Sequence, residues 1–426
     1  MRYRRAARIA GALLTPAVVI GAIAGQAGAA TSGSEHHGAL YVAPHAHAGA
    51  GDWSCQSAAY KTIRSAVKAA PAGGTVVVCP GTYHEQVAIT KPLRLEGIKA
   101  TIDESGVKPA FTVNVPHIGP LVIFAAVITT SSHVGISGFT VRNALGEGIL
   151  AAGVNGTIHD ISIRGNVVVN NDLGGGVPPK SSYFECAASG QVPGDCGEGV
   201  HFLSVAWSTI SGNYVSGNSG GILLTDETGP THGNVVSGNV VTRNQFDCGI
   251  TVPGHNPMAL NSKGALQPSV AGVYDNVIRS NVVTDNGLKG EGAGVLFATG
   301  APGSASYDNL ATGNYIAGNG LAGVTMHAHT LGKGQHEFLS GNDVVGNVIG
   351  RNNITGDPLD SPSPATGVHD TTGVLVFSAG THVSLRIAHN HIFDNHFGIW
   401  LSKPVSASGL RSNSFSHVTI PVSSGH

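Results

Sequence analysis

Apolar residues in this chain fall in short runs closed by Gly and Asn, and the runs recur. Ser211–Glu227 shows the unit: a Gly-Asn corner, a short apolar strand, a second Asn five residues on, and a Gly-Ile step into another strand. The first Asn returns at Asn166, Asn213, Asn239, Asn281, Asn314, Asn347 and Asn390, and more weakly at Asn413. Its partner follows at Asn171, Asn218, Asn244, Asn286, Asn319, Asn352 and Asn395. Runs this short and this Gly-bounded predict strands, not helices. Asn at a corner tolerates left-handed backbone angles and hydrogen-bonds nearby backbone. Identical Asn residues stacked coil on coil form an amide ladder. The pattern therefore predicts an all-β solenoid, a single-stranded parallel β-helix with coils about 4.8 Å apart.

Setting the units on their Gly-[Ile/Val] step separates inside from outside. The steps are Gly199-Val200, Gly221-Ile222, Gly249-Ile250, Gly294-Val295, Gly323-Val324, Gly373-Val374 and Gly398-Ile399. Two residues after the Ile/Val come Phe202, Leu224, Val252, Phe297, Met326, Val376 and Leu401, all apolar, so this parity faces the core. The other parity carries His201, Leu223, Thr251, Leu296, Thr325, Leu375 and Trp400, then Leu203, Thr225, Pro253, Ala298, His327, Phe377 and Ser402. An outward row this apolar implies a cover or a ligand. The gap from second Asn to strand Gly swings from 3 residues (Asn218 to Gly221) to 28 (Asn171 to Gly199) and 21 (Asn352 to Gly373). Long loops also follow the strand at 253–273 and 327–341. Loops on both edges of one sheet predict a groove.

Upstream, Ser57–Ala70 has helical periodicity through Tyr60, Ile63, Val67 and Ala70, and Pro71 with Gly73-Gly74 ends it. A strand, Thr75–Cys79, and the turn Pro80–Tyr83 follow. The phrase Ile-x-x-Ala-Val…Gly-Gly-Thr-Val-x-Val-x-Pro-Gly-x-Tyr and the Asn repeats resemble the right-handed parallel β-helix proteins of the pectin-lyase-like superfamily. The likeness is strongest to those with generic parallel-β-helix repeats and the NosD type. The resemblance implies a domain over residues 53–420, with an N-terminal cap at 53–83 whose helix plugs the open end of the core. It also implies a groove that usually holds a polysaccharide. It leaves the activity open, because one fold hosts many chemistries.

Candidate chemistry lies where the outward positions turn polar. Glu227, His255 and His329 share a register five residues after the Ile/Val, with Asp226, His201 and His327 nearby. A carboxylate beside a His suits general acid–base work or a divalent metal. Glu227 and His255 are expected to pair, with Asp226, His201, His327 and His329 orienting substrate or holding a metal. The loop residues Asp360 and Asp370 have no fixed register. No cofactor is named by the sequence; a divalent cation such as Ca2+ is the one such a cluster would accept. The Asn-Thr-Asp, Asp-Asp and Gly-His-Gly signature of polygalacturonase-like hydrolases is absent, as are the Arg and Lys motifs of typical pectate lyases. Three Met fit copper delivery of the NosD type poorly.

Composition narrows the partners. Charged residues are 11%, Gly is 61 of 426, and the formal net charge is −2. Without a basic stripe, nucleic acid is excluded as a partner, and a strongly polyanionic substrate gains no support. Arg2, Arg4, Arg5 and Arg8 precede an apolar run from Ile9 to Ala24 and then Ala27-Gly28-Ala29. This predicts a signal peptide over residues 1–29, Sec export and a secreted product, with no membrane span. Residues 30–52, holding His36, His37, His45 and His47, read as a flexible linker. The five Cys fit export, with bridges expected at Cys55–Cys79 and Cys186–Cys196 and Cys248 left as a buried small hydrophobe. Three functions remain: a secreted lyase or glycoside hydrolase acting on a polysaccharide, a non-catalytic glycan-binding protein, and a NosD-like metal-handling accessory.

Overall fold

The computed structural model describes residues 38–46, 54–115, 119–172, 197–255, 271–290, 292–300, 302–328, 336–356 and 369–425. The expected signal segment, His36, His37, His47, Cys186, Cys196, His329 and Asp360 lie outside the described residues.

The chain winds as a right-handed parallel β-helix. Among the described residues one sheet stacks 11 strands, from Val87–Ile89 through Glu198–Leu203, Gly220–Thr225 and Ile250–Gly254 to Ile420–Ser424. All its pairings are parallel and in register, as in Val200↔Ile222 and His201↔Leu223. Two further columns of short strands form the other faces. They are joined at the start of the helix by the long strands Leu93–Asp103 and Val134–Arg142, each of which spans both columns. A narrower five-stranded sheet, Ile158–His159 to Ser306–Tyr307, bevels the edge between the large sheet and the next face.

The core is a column of Val, Ile, Leu and Phe supplied by every face, with Phe139, Phe202 and Phe297 fully buried. The expected inward parity holds at Phe202, Leu224, Val252, Phe297, Met326, Val376 and Leu401, each at most 2% exposed. Three corners carry Asn ladders, one more than the repeat foretold. Asn213 and its stack mark one corner and Asn218 and its stack the second. Asn234, Asn276, Asn309 and Asn342 line the third. At most rungs the Oδ1 of one Asn accepts both the backbone N–H and the Nδ2–H of the Asn in the preceding coil, while Asn395 Oδ1 accepts only the Asn352 backbone N–H among the described residues. Asn213 donates to Asn239 Oδ1 in this way at 2.9 and 3.0 Å. The ladder satisfies the corner backbone that strand pairing leaves unbonded.

The cap departs from expectation in two respects. Its helix is Ile63–Ala69, shorter than Ser57–Ala70, because Thr62 caps it and the Glu85 carboxylate accepts from the N–H of Ile63 and Arg64 at 2.7 and 2.9 Å. Tyr60 instead bridges to Val42 in extended backbone. Within the stretch read as a linker, Leu40–Val42 forms a strand pairing with Val76–Val78, so part of that stretch opens the solenoid. The disulfide Cys55–Cys79 ties the chain before the helix to the end of the strand after it.

Candidate functional site

The outward face of the large sheet is covered, not open. Leu223, Thr251, Leu296, Thr325, Leu375, Phe377 and Trp400 are all at most 9% exposed. Over the first coils the hairpin Thr112–Val115/Gly119–Val122 lays Val113 and Leu121 against Ile128, Leu150 and Leu203. Over these first coils the apolar outward row therefore reflects a second, external layer of packing.

Polar chemistry concentrates where His201 interrupts this row. Glu147 lies on the strand before His201, Glu198 on the same strand, and Thr225 on the strand after. The sequence reading missed both Glu residues. Each precedes a Gly at the strand's entry, in Glu-Gly-Ile (147–149) and Glu-Gly-Val (198–200). A Cβ on Gly148 or Gly199 would strike a core Val Cγ1 at 2.4 or 2.3 Å, so these positions face inward and the preceding Glu faces out. The repeated phrase was legible; its meaning required knowing that the Gly points in.

His201 is fully buried, not lining a cleft. Its Nδ1 donates to Glu147 Oε1 and its Nε2 lies on the Thr225 hydroxyl, both at 2.7 Å. A carboxylate accepts only, so Nδ1 carries the proton in that contact. Two residues beyond Thr225, Glu227 Oε1 accepts from His255 Nδ1 at 2.8 Å, one coil on. This is the expected pair. Burial acts to raise the Glu227 carboxyl, but the hydrogen bond and charge of His255, then the charge of His201 and the Thr225 hydroxyl, hold it below its ordinary value. The His255 side chain is 37% exposed and Glu227 15%, so the network Glu147–His201–Thr225–Glu227–His255 runs from the interior to solvent.

The remaining candidates divide. Asp226 is fully buried, and its two oxygens accept the backbone N–H of His255 and Gly272 at 2.7 and 2.6 Å. It thus pins both ends of segment 255–272 and presents no free oxygen to a ligand. Burial and then the Glu227 charge push its carboxyl up to about 6, against those two donors. His327 occupies the same outward row as Ala298 and Phe377. It stands three strands beyond Gly220–Thr225, roughly 14 Å at one coil spacing per strand, and is not brought to the cluster. Asp370 lies beside the strand Thr372–Ser378, three strands further again than Ile250–Gly254. A third missed residue, Asp247, lies close to Gly220, where an added Cβ would meet Glu198 Oε1 at 3.2 Å and Asp247 Oδ2 at 3.4 Å. Burial raises its carboxyl, against the backbone and thiol of Cys248 and the charge of His255. Cys248 is buried, as expected, with its Sγ accepting the Ala293 N–H at 3.2 Å.

On the bevelled edge a ladder of rings follows the helix axis. Trp207, 65% exposed, meets His232 edge-on at 5.1 Å; His232 stacks on Tyr274 at 4.8 Å and Tyr274 on Tyr307 at 5.1 Å. The sequence hides it, since these rings lie 25, 42 and 33 residues apart. It ends at a depression of about 510 Å3 lined by Tyr307, His336, Glu337 and Phe338 among others.

The class of protein is then set: a right-handed parallel β-helix whose widest sheet carries a buried carboxylate–histidine network on its outer side. The chain belongs to the DUF1565 family, described as a protein of unknown function, which matches residues 48–306. Among solved structures it is similar to the A-module of the mannuronan C-5 epimerase AlgE4 of Azotobacter vinelandii. That likeness has 14% identity and a TM-score of 0.49 over 84% of this chain and 91% of that one. The pectate lyase Pel9A is similar at 15% identity and TM-score 0.47, over 90% of this chain and 77% of that one. An alginate lyase from Paenibacillus sp. str. FPU-7 follows at 12% and 0.40, over 84% and 95%. At these values the likeness is one of fold. No curated protein matches the chain in sequence. No described helix is long and apolar enough to cross a membrane.

Proposed function

We propose that the protein is an exported glycoside hydrolase acting on a neutral extracellular polysaccharide. The observation that carries the reading is the Glu227–His255 contact, placed where a buried acidic network reaches solvent. His255 keeps Glu227 ionised, which suits a base or a stabiliser of positive charge, while burial keeps Asp247 protonated towards higher pH, which suits an acid. Two carboxyls whose environments push their protonation apart are what glycosidic cleavage through an oxocarbenium-like transition state requires. Glu147, Glu198 and Asp226 add negative field around that point and would disfavour a uronate carboxylate. This favours hydrolysis of a neutral chain over β-elimination of a polyuronate. The disulfide and the apolar leader support export.

The test is a panel of neutral and uronate polysaccharides incubated with the exported protein, read by reducing ends and by unsaturated-uronate absorbance. Reducing ends without absorbance from a neutral glycan, lost in Glu227→Gln, are the expected result. Absorbance from a polyuronate would replace hydrolysis by elimination, and no turnover of any glycan would overturn the enzyme reading.

The ring ladder favours a second reading, glycan binding without turnover. The exposed Trp207 ring offers an apolar face, and the stacked rings behind it offer edges and polar tips along the axis, the kind of surface that meets sugar rings. Retardation in glycan-containing gels, lost in Trp207→Ala and Tyr274→Ala with no release of reducing ends, would establish it.

A further inference from the structure

We propose that Glu147, Glu198 and His201 form a binding site for a first-row divalent cation, zinc or manganese. One ligand atom from each of the three lies within 4.8 Å of the others. All three side chains are at most 1% exposed. Two carboxylates brought this close and out of water repel one another, and such a pair persists only with a positive charge between or beside them. His201 lies beside Glu147, its Nδ1 on Glu147 Oε1 at 2.7 Å. The second oxygen, Glu147 Oε2, is buried and has no hydrogen-bond partner among the described residues. That is the configuration of a ligand oxygen whose cation is the missing partner.

The donor set chooses the metal. An imidazole nitrogen with two carboxylates is borderline, suiting zinc and manganese. Calcium takes oxygen donors in larger number, and copper(I) would call for thiolate or thioether. His201 is already oriented for the task. Its Nε2 lies 2.7 Å from the Thr225 hydroxyl, which fixes the ring so that Nδ1 faces the carboxylates; a bound cation would displace the Nδ1 proton and leave Nε2–H donating to Thr225. The ligands come from two consecutive coils and the orienting hydroxyl from a third, so the cation would clamp three coils together. The inference does not rest on sugar turnover, and its test does not use it.

The rival is a proton: an imidazolium of His201 shared between the two carboxylates, with no metal. The experiment is metal binding to the chelator-treated full-length protein, by titration calorimetry with zinc, manganese and calcium chlorides, and by the visible spectrum after cobalt(II) loading. One zinc or manganese per chain is expected, with a raised melting temperature, cobalt bands of nitrogen–oxygen ligation, and affinity weakened at least 10-fold in Glu147→Gln. Should that variant fold poorly, His201→Gln provides the second reading. Absence of stoichiometric zinc and manganese binding to the wild type would overturn the site. So would calcium binding alone, or undiminished affinity in both variants. A bound cation would offset the negative field of Glu147 and Glu198 and so bears on the choice of glycan, whereas hydrolysis itself stands or falls on glycan turnover.

Discussion

His255 Nδ1 lies 2.8 Å from Glu227 Oε1 although the two residues are 28 positions apart, because one coil of the helix brings them into step. The contact engages one of the two Glu227 oxygens. Glu227→Gln keeps the shape and discards the charge. Turnover of the identified glycan should fall 10²- to 10⁴-fold, the usual loss for a general acid or base. His255→Ala should lower it too, by freeing the Glu227 carboxyl to titrate nearer its ordinary range. Circular dichroism should show both variants folded, since neither side chain belongs to the core. Rates within a few-fold of wild type would reduce the pair to a surface ion pair.

The Asn ladder carries a stability prediction. Asn239 is fully buried, receives two hydrogen bonds from Asn213, and donates to Ile210 O and Asn281 Oδ1 at 2.9 and 3.0 Å. Asn239→Leu strands those partners without water, at on the order of 3 to 6 kcal/mol. Asn413, in the last and more exposed coil, takes the same bonds from Asn390 but has no further Asn above it. Asn413→Leu should therefore cost less. Equal drops in denaturation midpoint for the two would contradict a ladder whose rungs are strengthened by their neighbours.

The bridge Cys55–Cys79 closes a loop of 24 residues around the capping helix. Its removal should cost about 3 kcal/mol if the loop entropy of the unfolded chain dominates. The loss should fall on the cap first, where Glu85 and Thr62 hold the helix start. Hydrogen exchange on the Cys55→Ser/Cys79→Ser double variant should show faster exchange across 38–83 than across the later coils. Uniform loss of protection would show instead that cap and coils unfold together.

The solenoid was legible because its period is written in residues that do one job each. The Asn corners and the inward Val, Ile, Leu and Phe must repeat for the coils to stack, and so they can be counted in sequence. The Glu227–His255 pair was legible for the same reason, since both occupy one register. Glu147 and Glu198 were missed because their direction is set by Gly148 and Gly199, whose lack of a side chain is the only mark that they face inward. His201 was read as facing a cleft because strand parity gives the face but not what lies over it, and there it is fully buried. His327 shares the outward face of the site, but the steps from Gly221 to Gly323 place it three coils away, too far for one side-chain cluster.

Glu104 gives the clearest pH dependence. It follows the strand Leu93–Asp103, is 1% exposed, and burial, opposed by the backbone N–H of Leu145, pushes its carboxyl from 4.5 up to about 7. The folded protein then holds a proton between those values that the unfolded chain gives up. Stability from this group is complete below pH 4.5 and is lost as pH rises through 7, by about 3 kcal/mol in all. Asp226, also raised, adds a fall in the same direction at lower pH. Comparing Glu104→Gln with wild type isolates Glu104, because the amide keeps the volume and cannot ionise. Chemical denaturation at pH 5, 6, 7 and 8 should show the variant losing less stability over this range and surpassing wild type at pH 8. If the two fall in parallel, Glu104 ionises in the folded state near its ordinary value and its burial costs the carboxylate little.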